Sequence, residues 1–227
     1  MKTIGLLGGL GWVSTIEYYR NLNQKVNKTL GKHHSAKIIL NSIDHESVRQ
    51  FDYNEWDKIA EILKEGILQL DSFGADCILI CNNTLHKAFD LISSSLNTKA
   101  PVFHIVDCVG EYAVQQNLNK LLLLGTKFTM EDGFYHNRLK NFGLEVITLD
   151  ESDRLEVNRV IQEELLKNIF KDGSKKWFQD MIKKYDCDAV TLGCTELPLL
   201  IKQEDYKTPI LSSVELHCQK AVDFALK

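Results

Sequence analysis

Two nine-residue segments of the chain follow the same pattern. They read DCILICNNT at residues 76–84 and DAVTLGCTE at residues 188–196. In both, an acidic residue precedes a short apolar run, and small polar residues separate that run from a helical pattern. A short apolar run bounded in this way predicts a buried strand that ends where a helix begins.

The sequence around these two segments repeats in the same order. Three further pairs of segments match at similar offsets: residues 4–9 with 121–126, 38–42 with 146–150, and 101–107 with 209–215. The pair 38–42 with 146–150 is the weakest of them. We interpret the repeated order of strands and helices as an internal duplication of about half the chain.

Short, nearly continuous apolar strands alternate here with amphipathic helical patterns, which is typical of parallel sheets covered by helices. We therefore predict an α/β fold of two pseudo-symmetric Rossmann-like lobes, each a parallel sheet flanked by helices. The expected first lobe comprises residues 1–98 and 208–227, and the second comprises residues 99–207. The last strand and helix are assigned to the first lobe because chain termini often lie close together.

Helical periodicity predicts eight helices. They are expected at residues 14–30, 54–71, 84–94, 107–116, 130–142, 152–170, 174–185 and 213–226. Ser14 and Glu17 have the spacing of a capping box at the start of the first helix.

The composition is that of an ordinary globular protein, with 227 residues, 44% hydrophobic and 26% charged, and a net charge of −4. A mildly acidic chain without a basic block is a poor binder of nucleic acid or of a membrane surface. The apolar runs are shorter than the roughly 20 residues that a membrane span needs. The first residues are expected to form a strand and not a signal peptide.

The six cysteines are expected to be reduced thiols of a cytoplasmic protein, because no export signal accompanies them. No CxxC motif is followed by a second one or by a close histidine pair. A structural zinc site is therefore not expected.

Ligands of parallel α/β sheets bind beyond the carboxyl ends of the strands. Four duplicated positions meet this condition: Gly8-Gly9, Asn82-Asn83-Thr84, Gly125-Thr126 and Cys194-Thr195-Glu196. A helix N-terminus attracts carboxylates and lowers the pKa of a thiol. Cys194 is therefore the candidate general acid or base, and the alternative is a buried cysteine that acts as a small hydrophobic residue. The cysteines at positions 77, 108, 187 and 218 are expected to be structural.

Two other features near the strand ends have competing interpretations. The GGLG sequence at residues 8–11 lacks the GxGxxG spacing of a dinucleotide site, so a tight turn beside a small ligand fits it better. His86 and Lys87 follow the Asn82 segment and are either site residues or part of a helix face near solvent.

Three motifs together resemble the aspartate/glutamate racemase family over essentially the whole chain. They are IGLLGGLGW at residues 4–12, NNTLHK at residues 82–87 and GCTEL at residues 193–197. The resemblance implies two pseudo-symmetric α/β lobes, no pyridoxal phosphate and no metal. It also implies two cysteines, one per lobe, that act on opposite faces of the substrate α-carbon.

The resemblance further implies which residues hold the substrate carboxylate. They are Asn83, Thr84, Thr126 and Thr195, and we add Gly9 and Glu196 as substrate-binding candidates.

The chain departs from the family pattern at Asn82, which stands where the first catalytic cysteine is expected. The internal repeat gives the same alignment, because Asn82 matches Cys194. Cys81 lies one residue early and is expected to point to the other side of the strand. An amide cannot abstract a proton. Four outcomes stay open: a one-thiol racemase, a slow or stereospecific enzyme, a related α-carbanion enzyme such as a decarboxylase, or a non-catalytic binder.

A second departure concerns the substrate side chain. Acid-specific members of the family tend to carry a lysine before an asparagine, and here Glu156 precedes Asn158. Glu156 either repels an acidic substrate or is a solvated helix residue. Arg49 or Arg154 is the alternative source of positive charge.

We therefore predict a cofactor-independent amino-acid racemase of the aspartate/glutamate type, with the active site in the cleft between the lobes. Cys194 is its principal acid/base group, and Asn82 occupies the second catalytic position. The alternative is an amino-acid or carboxylate binding protein on the same scaffold. We also expect a cytoplasmic homodimer with a small-molecule amino-acid substrate.

Overall fold

The computed structural model describes residues 1–52 and 54–227, which form two compact units. The first unit comprises Met1–Ile105 and His217–Lys227, and the second comprises Val106–Leu216. Each unit contains one four-stranded sheet in which every neighbouring pair of strands is parallel. The prediction of two α/β lobes with flanking helices is confirmed.

The first unit has the strand order β2-β1-β3-β4. Its strands are β1 (Ile4–Gly8), β2 (Ile38–Ser42), β3 (Cys77–Ile80) and β4 (Val102–Phe103). Its helices are α1 (Trp12–Leu30), α2 (Glu46–Arg49), α3 (Trp56–Ser72) and α4 (His86–Ile92).

The second unit has the equivalent order β6-β5-β7-β8. Its strands are β5 (Lys120–Leu124), β6 (Glu145–Ile147), β7 (Ala189–Leu192) and β8 (Ile210–Ser212). Its helices are α5 (Ile105–Gln115), α6 (Lys127–Glu131), α7 (Phe134–Lys140), α8 (Glu151–Glu163), α9 (Asp172–Ile182) and α10 (Leu197–Leu200). The last helix, α11 (Ser213–Leu226), begins in the second unit and ends in the first.

The central strands of both sheets are apolar on both faces. Every residue of β1, β3 and β7 is buried, and so are four of the five residues of β5. The edge strands β2 and β6 contain half-buried and exposed residues instead. This contrast explains the sequence pattern, because a strand covered by helices on both sides needs a continuous apolar run.

The boundaries of the two units differ from the expected lobes. β4, which was expected in the second lobe, pairs with β3 in the first sheet. β8, which was expected in the first lobe, pairs with β7 in the second sheet. β4 and β8, which follow Pro101 and Pro209, therefore complete the sheet of the strands that precede them, and the chain divides after Ile105 and after Leu216.

α3 illustrates how a helix covers the first sheet. Its buried residues include Ile59, Leu63, Ile67 and Leu70, which recur at helical spacing. Burial of each of these side chains contributes roughly 1.5–3 kcal/mol. Gly66 on the same helix allows close packing, since a Cβ atom there would lie 2.5 Å from Leu7 Cδ1.

Two predicted helices are interrupted in the structure. The helix expected at residues 130–142 is two short helices, α6 and α7, because Gly133 between them has φ of 91°. The helix expected at residues 152–170 ends at Glu163, and a 3₁₀ turn at Leu165–Lys167 follows it. Asn168 then closes that turn with φ of 58°.

The capping box predicted at Ser14 is wrong. α1 begins at Trp12, and Gly11 is its N-cap residue in a left-handed conformation. Thr15 lies inside the first turn, and its hydroxyl oxygen accepts a hydrogen bond from the Gly9 N–H. The glycine turn therefore sets the start of this helix.

Among the described residues, no helix is both long enough and apolar enough to cross a membrane.

Candidate active site

The turn after β1 is shaped by its glycines. Gly9 and Gly11 have φ of 81° and 99°, in the region that favours glycine. A Cβ atom on Gly9 would lie 2.0 Å from the Ile43 carbonyl oxygen. Gly9 is a substrate-binding candidate, and its N–H donates to Thr15 Oγ1 at 2.9 Å. The geometry fits a tight turn whose amide is already bound by a side chain of α1.

The turn after β3 is held together by Asn82. Its Nδ2 donates to the Leu10 carbonyl at 2.7 Å, and its Oδ1 accepts from the Leu85 N–H at 3.0 Å. Its main-chain carbonyl accepts from His86 Nδ1 at 2.8 Å. Both ends of the Asn82 amide therefore bind backbone, and they connect the glycine turn to the residue that precedes α4.

The residues that follow Asn82 differ in exposure. Asn83 is buried and Thr84 is half-buried. His86 is completely buried, so the alternative that placed it on a helix face near solvent is wrong. Lys87 is half-buried, and its Nζ lies 4.6 Å from the centre of the Trp56 ring, which is cation–π geometry.

Beneath this turn lies a cluster of three buried histidines. The His86 ring centre lies 4.6 Å from that of His104 and 5.5 Å from that of His217. His217 Nε2 donates to the Phe103 carbonyl at 2.9 Å, and its Nδ1 accepts from the Tyr18 hydroxyl at 2.9 Å. Burial lowers the pKa of His217 to about 3, so this ring is neutral at physiological pH.

The histidine cluster was not predicted from the sequence. His86 belongs to α4, His217 to α11, and His104 lies between β4 and α5. No spacing pattern connects positions so far apart in the chain. Within residues 1–52 and 54–227, no group of three or more His, Cys, Asp or Glu side chains is arranged to hold a metal ion.

Cys194 lies just beyond β7, where the Gly193 N–H continues the sheet by donating to the Leu124 carbonyl at 2.7 Å. The Cys194 thiol donates to Glu196 Oε2, and the two atoms are 2.8 Å apart. Cys194 is 7% exposed and Glu196 is 9% exposed. The Cys194 thiol and the Glu196 carboxylate therefore contact each other directly, with little exposure to solvent.

The electrostatics of Cys194 correct one sequence-based expectation. Burial raises the pKa of the thiol well above its ordinary value, and the charge and hydrogen bond of Glu196 raise it further. The N–H groups of Glu196 and Leu197 act in the opposite direction but do not outweigh these effects. α10 has only four residues, so its dipole is small. The expected lowering of the pKa is wrong, and the thiol is protonated at neutral pH.

The other cysteines are free thiols that pack in the interior to different degrees. Cys77, Cys81, Cys108 and Cys218 are buried, whereas Cys187 is half-buried. Burial raises the pKa of Cys77 to about 12 and raises that of Cys81 well above its ordinary value. The prediction that Cys77 belongs to the core is confirmed.

The turn after β5 carries Thr126, the N-cap residue of α6. Its Oγ1 accepts from the Thr129 N–H at 3.3 Å. The neighbouring Lys127 N–H donates to Asn158 Oδ1 of α8 at 2.8 Å. Asn158 thus fixes this turn, a role that was not predicted from the sequence. Thr195, its candidate counterpart beside Cys194, is half-buried.

The charge of Glu156 is compensated within α8. Arg159 Nε and Nη2 donate to the two carboxylate oxygens of Glu156 at 2.8 and 2.7 Å. Arg154 Nε donates to Glu131 at 3.1 Å, and its Nη1 donates to the Leu149 carbonyl. Glu156 therefore lacks the uncompensated charge that repulsion of an acidic substrate would require, and Arg154 already binds two groups of its own unit.

A buried phenol supports the end of β7. Tyr135 of α7 is completely buried and hydrogen-bonds to Ser213. Ser213 Oγ donates to the Leu192 carbonyl at 2.8 Å. Burial raises the pKa of Tyr135, and the nearby thiols Cys108 and Cys194 contribute in the same direction. This chain of hydrogen bonds fixes the strand that presents Cys194.

The chain belongs to the Asp/Glu/Hydantoin racemase family, whose sequence profile matches residues 7–221. The matched region contains the turns after β3 and β7. The family resemblance inferred from the three motifs is thereby confirmed, and the homologues support assignment to the racemases, a class of isomerases.

Individual proteins and solved structures are also similar to this chain over most of its length. The broad-specificity amino-acid racemase RacX of Bacillus subtilis (strain 168) is 25% identical, with 92% of each chain aligned. The crystal structure of an aspartate racemase homologue from Pyrococcus horikoshii OT3 has 35% identity and a TM-score of 0.92, with full coverage of both chains. A Yersinia pestis protein provisionally identified as an Asp/Glu racemase has 40% identity and a TM-score of 0.93, again with full coverage.

Proposed function

We propose that this protein is an amino-acid racemase that needs no cofactor and moves the substrate α-proton with Cys194. The observation that carries the proposal is the buried Cys194 thiol, in direct contact with Glu196 at the carboxyl end of β7. This is the position at which parallel α/β sheets bind ligands. Sulfur is a strong nucleophile and base once ionised, so a thiol there suits proton abstraction.

In the proposed reaction, the ionised minority of Cys194 reacts: the thiolate sulfur takes the proton from the α-carbon of a bound amino acid, and an S–H bond forms as the C–H bond breaks. The electron pair left on the α-carbon is delocalised into the substrate carboxylate. A proton added to the opposite face of the α-carbon then gives the other enantiomer. Burial and Glu196 raise the pKa of Cys194, so a smaller fraction of the thiol is ionised, but the thiolate that forms is a stronger base.

We propose that the substrate carboxylate is held by polar groups of the turns after the strands. The candidates are Asn83, Thr84, Thr126 and Thr195. Gly9 is a weaker candidate, because its N–H is bound to Thr15. Glu196 is directed at Cys194, so its contribution to substrate binding is secondary.

We assign Asn82 a holding role at the second catalytic position. Its amide binds the backbone at Leu10 and Leu85, which supports a structural use of this side chain. In this proposal water supplies the second proton, and the enzyme has one strong base. Exchange is then faster for one enantiomer than for the other.

The amino acid itself is left open between acidic and neutral side chains. Arg159 compensates the charge of Glu156, so acidic substrates are not excluded on that ground. The Bacillus subtilis relative is a racemase of broad specificity. We therefore propose a broad panel of amino acids for the test.

A second candidate function is an amino-acid or carboxylate binder that has lost turnover, or a one-thiol α-carbanion enzyme such as a decarboxylase. The observation that favours it is that position 82 carries an amide in place of a thiol, and both the nitrogen and the oxygen of that amide bind backbone. Binding without α-proton exchange would identify the binder. Release of carbon dioxide from an α-carboxylated substrate would identify the decarboxylase.

Cellular location and assembly are also proposals. Six free thiols suit a reducing cytoplasm. We propose a homodimer, and sedimentation velocity of the full chain measures whether the 26.0 kDa chain doubles in mass.

The experiment that tests the proposed function is solvent exchange at the α-carbon. Purified protein is incubated in heavy water with L- and D-amino acids, and the loss of the α-proton signal is followed by proton NMR. Loss of signal with at least one amino acid, unchanged by added pyridoxal phosphate or by a chelator, supports the proposal. Absence of exchange for every member of the panel contradicts it.

A further inference from the structure

We propose that the exposed apolar side of α1 pairs with the same side of α1 in a second copy of this chain, in an antiparallel arrangement with a two-fold axis at Ile16. The residues of this α1 face are Trp12, Val13, Ile16 and Tyr19. The pairing rests on the homodimer proposed above and gives that homodimer a surface, but it does not depend on the racemase reaction.

α1 has a buried side and an exposed apolar side. The residues that pack inward are Ser14, Thr15, Tyr18, Leu22 and Val26. The α1 face lies on another side of the helix, and its aromatic side chains are 68% exposed at Trp12 and 56% exposed at Tyr19. Clustered exposed apolar side chains mark interaction sites, and Trp and Tyr are among the residue types that most often anchor protein–protein interfaces.

The apolar surface continues from α1 to the edge strand β2. Leu40 of β2 is exposed. Its Cδ1 lies 2.8 Å, and Thr15 Cγ2 lies 2.5 Å, from the position that a Cβ atom of Gly8 would take. Leu40 therefore lies beside the Thr15 side of α1, on which Tyr19 follows one turn later. An exposed apolar residue of the sheet thus extends the α1 face.

The α1 face is arranged symmetrically about Ile16. At roughly 100° per residue, Trp12 and Tyr19 lie on one side of Ile16, whereas Val13 and the adjoining Arg20 lie on the other. The members of each pair lie about equally far from Ile16 along the helix, in opposite directions. When two copies of α1 run antiparallel, Trp12 therefore faces the partner's Tyr19, and Val13 faces the partner's Arg20. Ile16 faces the partner's Ile16 at the axis.

Each of these contacts joins compatible groups. Trp12 meets a second aromatic ring, where stacked or edge-to-face packing is favourable. Val13 packs against the aliphatic part of the partner's Arg20, whose charged end stays near solvent. The Arg20 guanidinium is also compensated within its own helix, since its Nη1 lies 2.6 Å from Glu17 Oε1. The α1 face is therefore complementary to itself, as the interface of a two-fold dimer must be.

Sedimentation velocity of the full chain, over a range of protein concentrations, tests the pairing. The wild type is expected to sediment as a dimer. Ile16→Glu places two carboxylates against each other at the axis, so the dimer dissociation constant should rise by at least about 100-fold. Tyr19→Ser adds no charge and should raise the dissociation constant by at least about 10-fold. Far-ultraviolet circular dichroism checks that each variant is folded.

A mixing experiment tests the two-fold axis itself. Ile16→Lys alone also places two like charges at the axis and should be monomeric. An equimolar mixture of Ile16→Glu and Ile16→Lys should recover a dimer, because the new carboxylate of one copy then faces the new ammonium group of the other. Leu91→Glu is the control, since it adds the same charge at an exposed apolar residue of α4 in the same unit. It should leave the dimer unchanged.

Three results would overturn the pairing, and each has a different meaning. A wild-type dimer that Ile16→Glu leaves intact would place the homodimer on another surface. A mixture that stays monomeric would exclude the two-fold contact at Ile16. A wild type that is monomeric at every concentration would contradict both the homodimer and the α1 face. The proposed racemase reaction is decided separately, by α-proton exchange.

Discussion

Asn82 and Cys194 each lie two residues beyond a central strand, β3 in the first unit and β7 in the second. Their positions are equivalent, yet their side chains have different partners. The Asn82 amide binds two backbone groups, whereas the Cys194 thiol binds a carboxylate. A duplicated fold thus determines where a polar side chain is placed, and its partners determine whether it can exchange a proton.

The turns also differ in what lies beneath them. The Asn82 turn is supported by a cluster of buried histidines, in which His86 donates to the Asn82 carbonyl. The Cys194 turn is supported by the hydrogen bonds of Tyr135 and Ser213 to the end of β7. In the turn after β3, the Asn82 side chain is held by hydrogen bonds to backbone. In the turn after β7, the hydrogen-bonded end of the strand presents the titratable Cys194 thiol. Four substitutions test this contrast.

The largest effect is expected from Cys194→Ser. A serine hydroxyl is far harder to ionise than a thiol, so α-proton exchange should fall by about 10³-fold or more, which corresponds to about 4 kcal/mol of barrier. Exchange is measured by NMR in heavy water, and far-ultraviolet circular dichroism checks the fold. Cys187→Ser is the control and should retain exchange. Wild-type exchange in Cys194→Ser would make Cys194 structural.

The next effect concerns the stability of the glycine turn. Gly9→Ala introduces a Cβ atom 2.0 Å from the Ile43 carbonyl oxygen at a φ of 81°, so we expect a loss of about 2–5 kcal/mol. Urea denaturation measures the free energy of unfolding. Gly31→Ala is the control, because Gly31 has a φ of 72° but open space around its Cβ position. With ψ of −165°, Gly31 lies in a backbone region that favours glycine alone, so this change should cost roughly 1–3 kcal/mol. Equal losses would show that the contact with Ile43 is unimportant.

The third prediction concerns Asn82→Cys, which places a thiol in the turn after β3, at the position equivalent to Cys194 after β7. It removes the hydrogen bonds to Leu10 and Leu85, which should cost about 1–3 kcal/mol of stability. If residue 82 serves the reaction, the new thiol should also narrow the ratio of exchange rates between the L and D enantiomers. Asn82→Ser is the matched control, because it loses the same amide without adding a thiol. An unchanged ratio in folded Asn82→Cys would show that residue 82 does not act on the α-carbon.

The smallest effect is the acid sensitivity of the histidine cluster. Burial lowers the pKa of His217 to about 3 in the folded chain, whereas in the unfolded chain its pKa is about 6.5. Between these two values, His217 binds a proton in the unfolded chain but not in the folded chain. This one group leaves stability unchanged above pH 6.5 and lowers it by up to about 1.4 kcal/mol per pH unit as the pH falls towards 3.

Urea denaturation at pH 7, 6 and 5 measures that slope. His217→Gln should be less stable than the wild type at pH 7, and the difference should shrink as the pH falls. The exposed His33→Gln is the control and should leave the slope unchanged. A constant difference between His217→Gln and the wild type would mean that His217 takes up a proton equally readily in the folded and unfolded chains, which contradicts its lowered pKa.

The strands were the most predictable part of the fold. The apolar part of DCILICNNT contains β3, because a central parallel strand must be apolar on both faces, and the less apolar run at residues 38–42 is the edge strand β2. The helix at residues 130–142 was not predictable in the same way. Its periodicity continues through Gly133, and only the backbone conformation of that glycine separates α6 from α7.

The site was predictable in position and less so in chemistry. The sequence places Cys194 at a strand end, and the structure agrees. The pKa of its thiol depends on burial and on the direction of the Glu196 side chain, and neither follows from the spacing of the two residues. The histidine cluster was missed for a related reason, because His86, His104 and His217 meet only through tertiary packing.

The most direct test of the contrast between the two turns compares Cys194→Ser with Asn82→Ser in one heavy-water experiment. Both variants place a serine hydroxyl at equivalent strand ends, and the rates are corrected for the folded fraction. We predict that Cys194→Ser loses α-proton exchange, whereas Asn82→Ser keeps at least about a tenth of the wild-type rate. Equal losses, or a larger loss in Asn82→Ser, would contradict the assignment of the chemistry to Cys194.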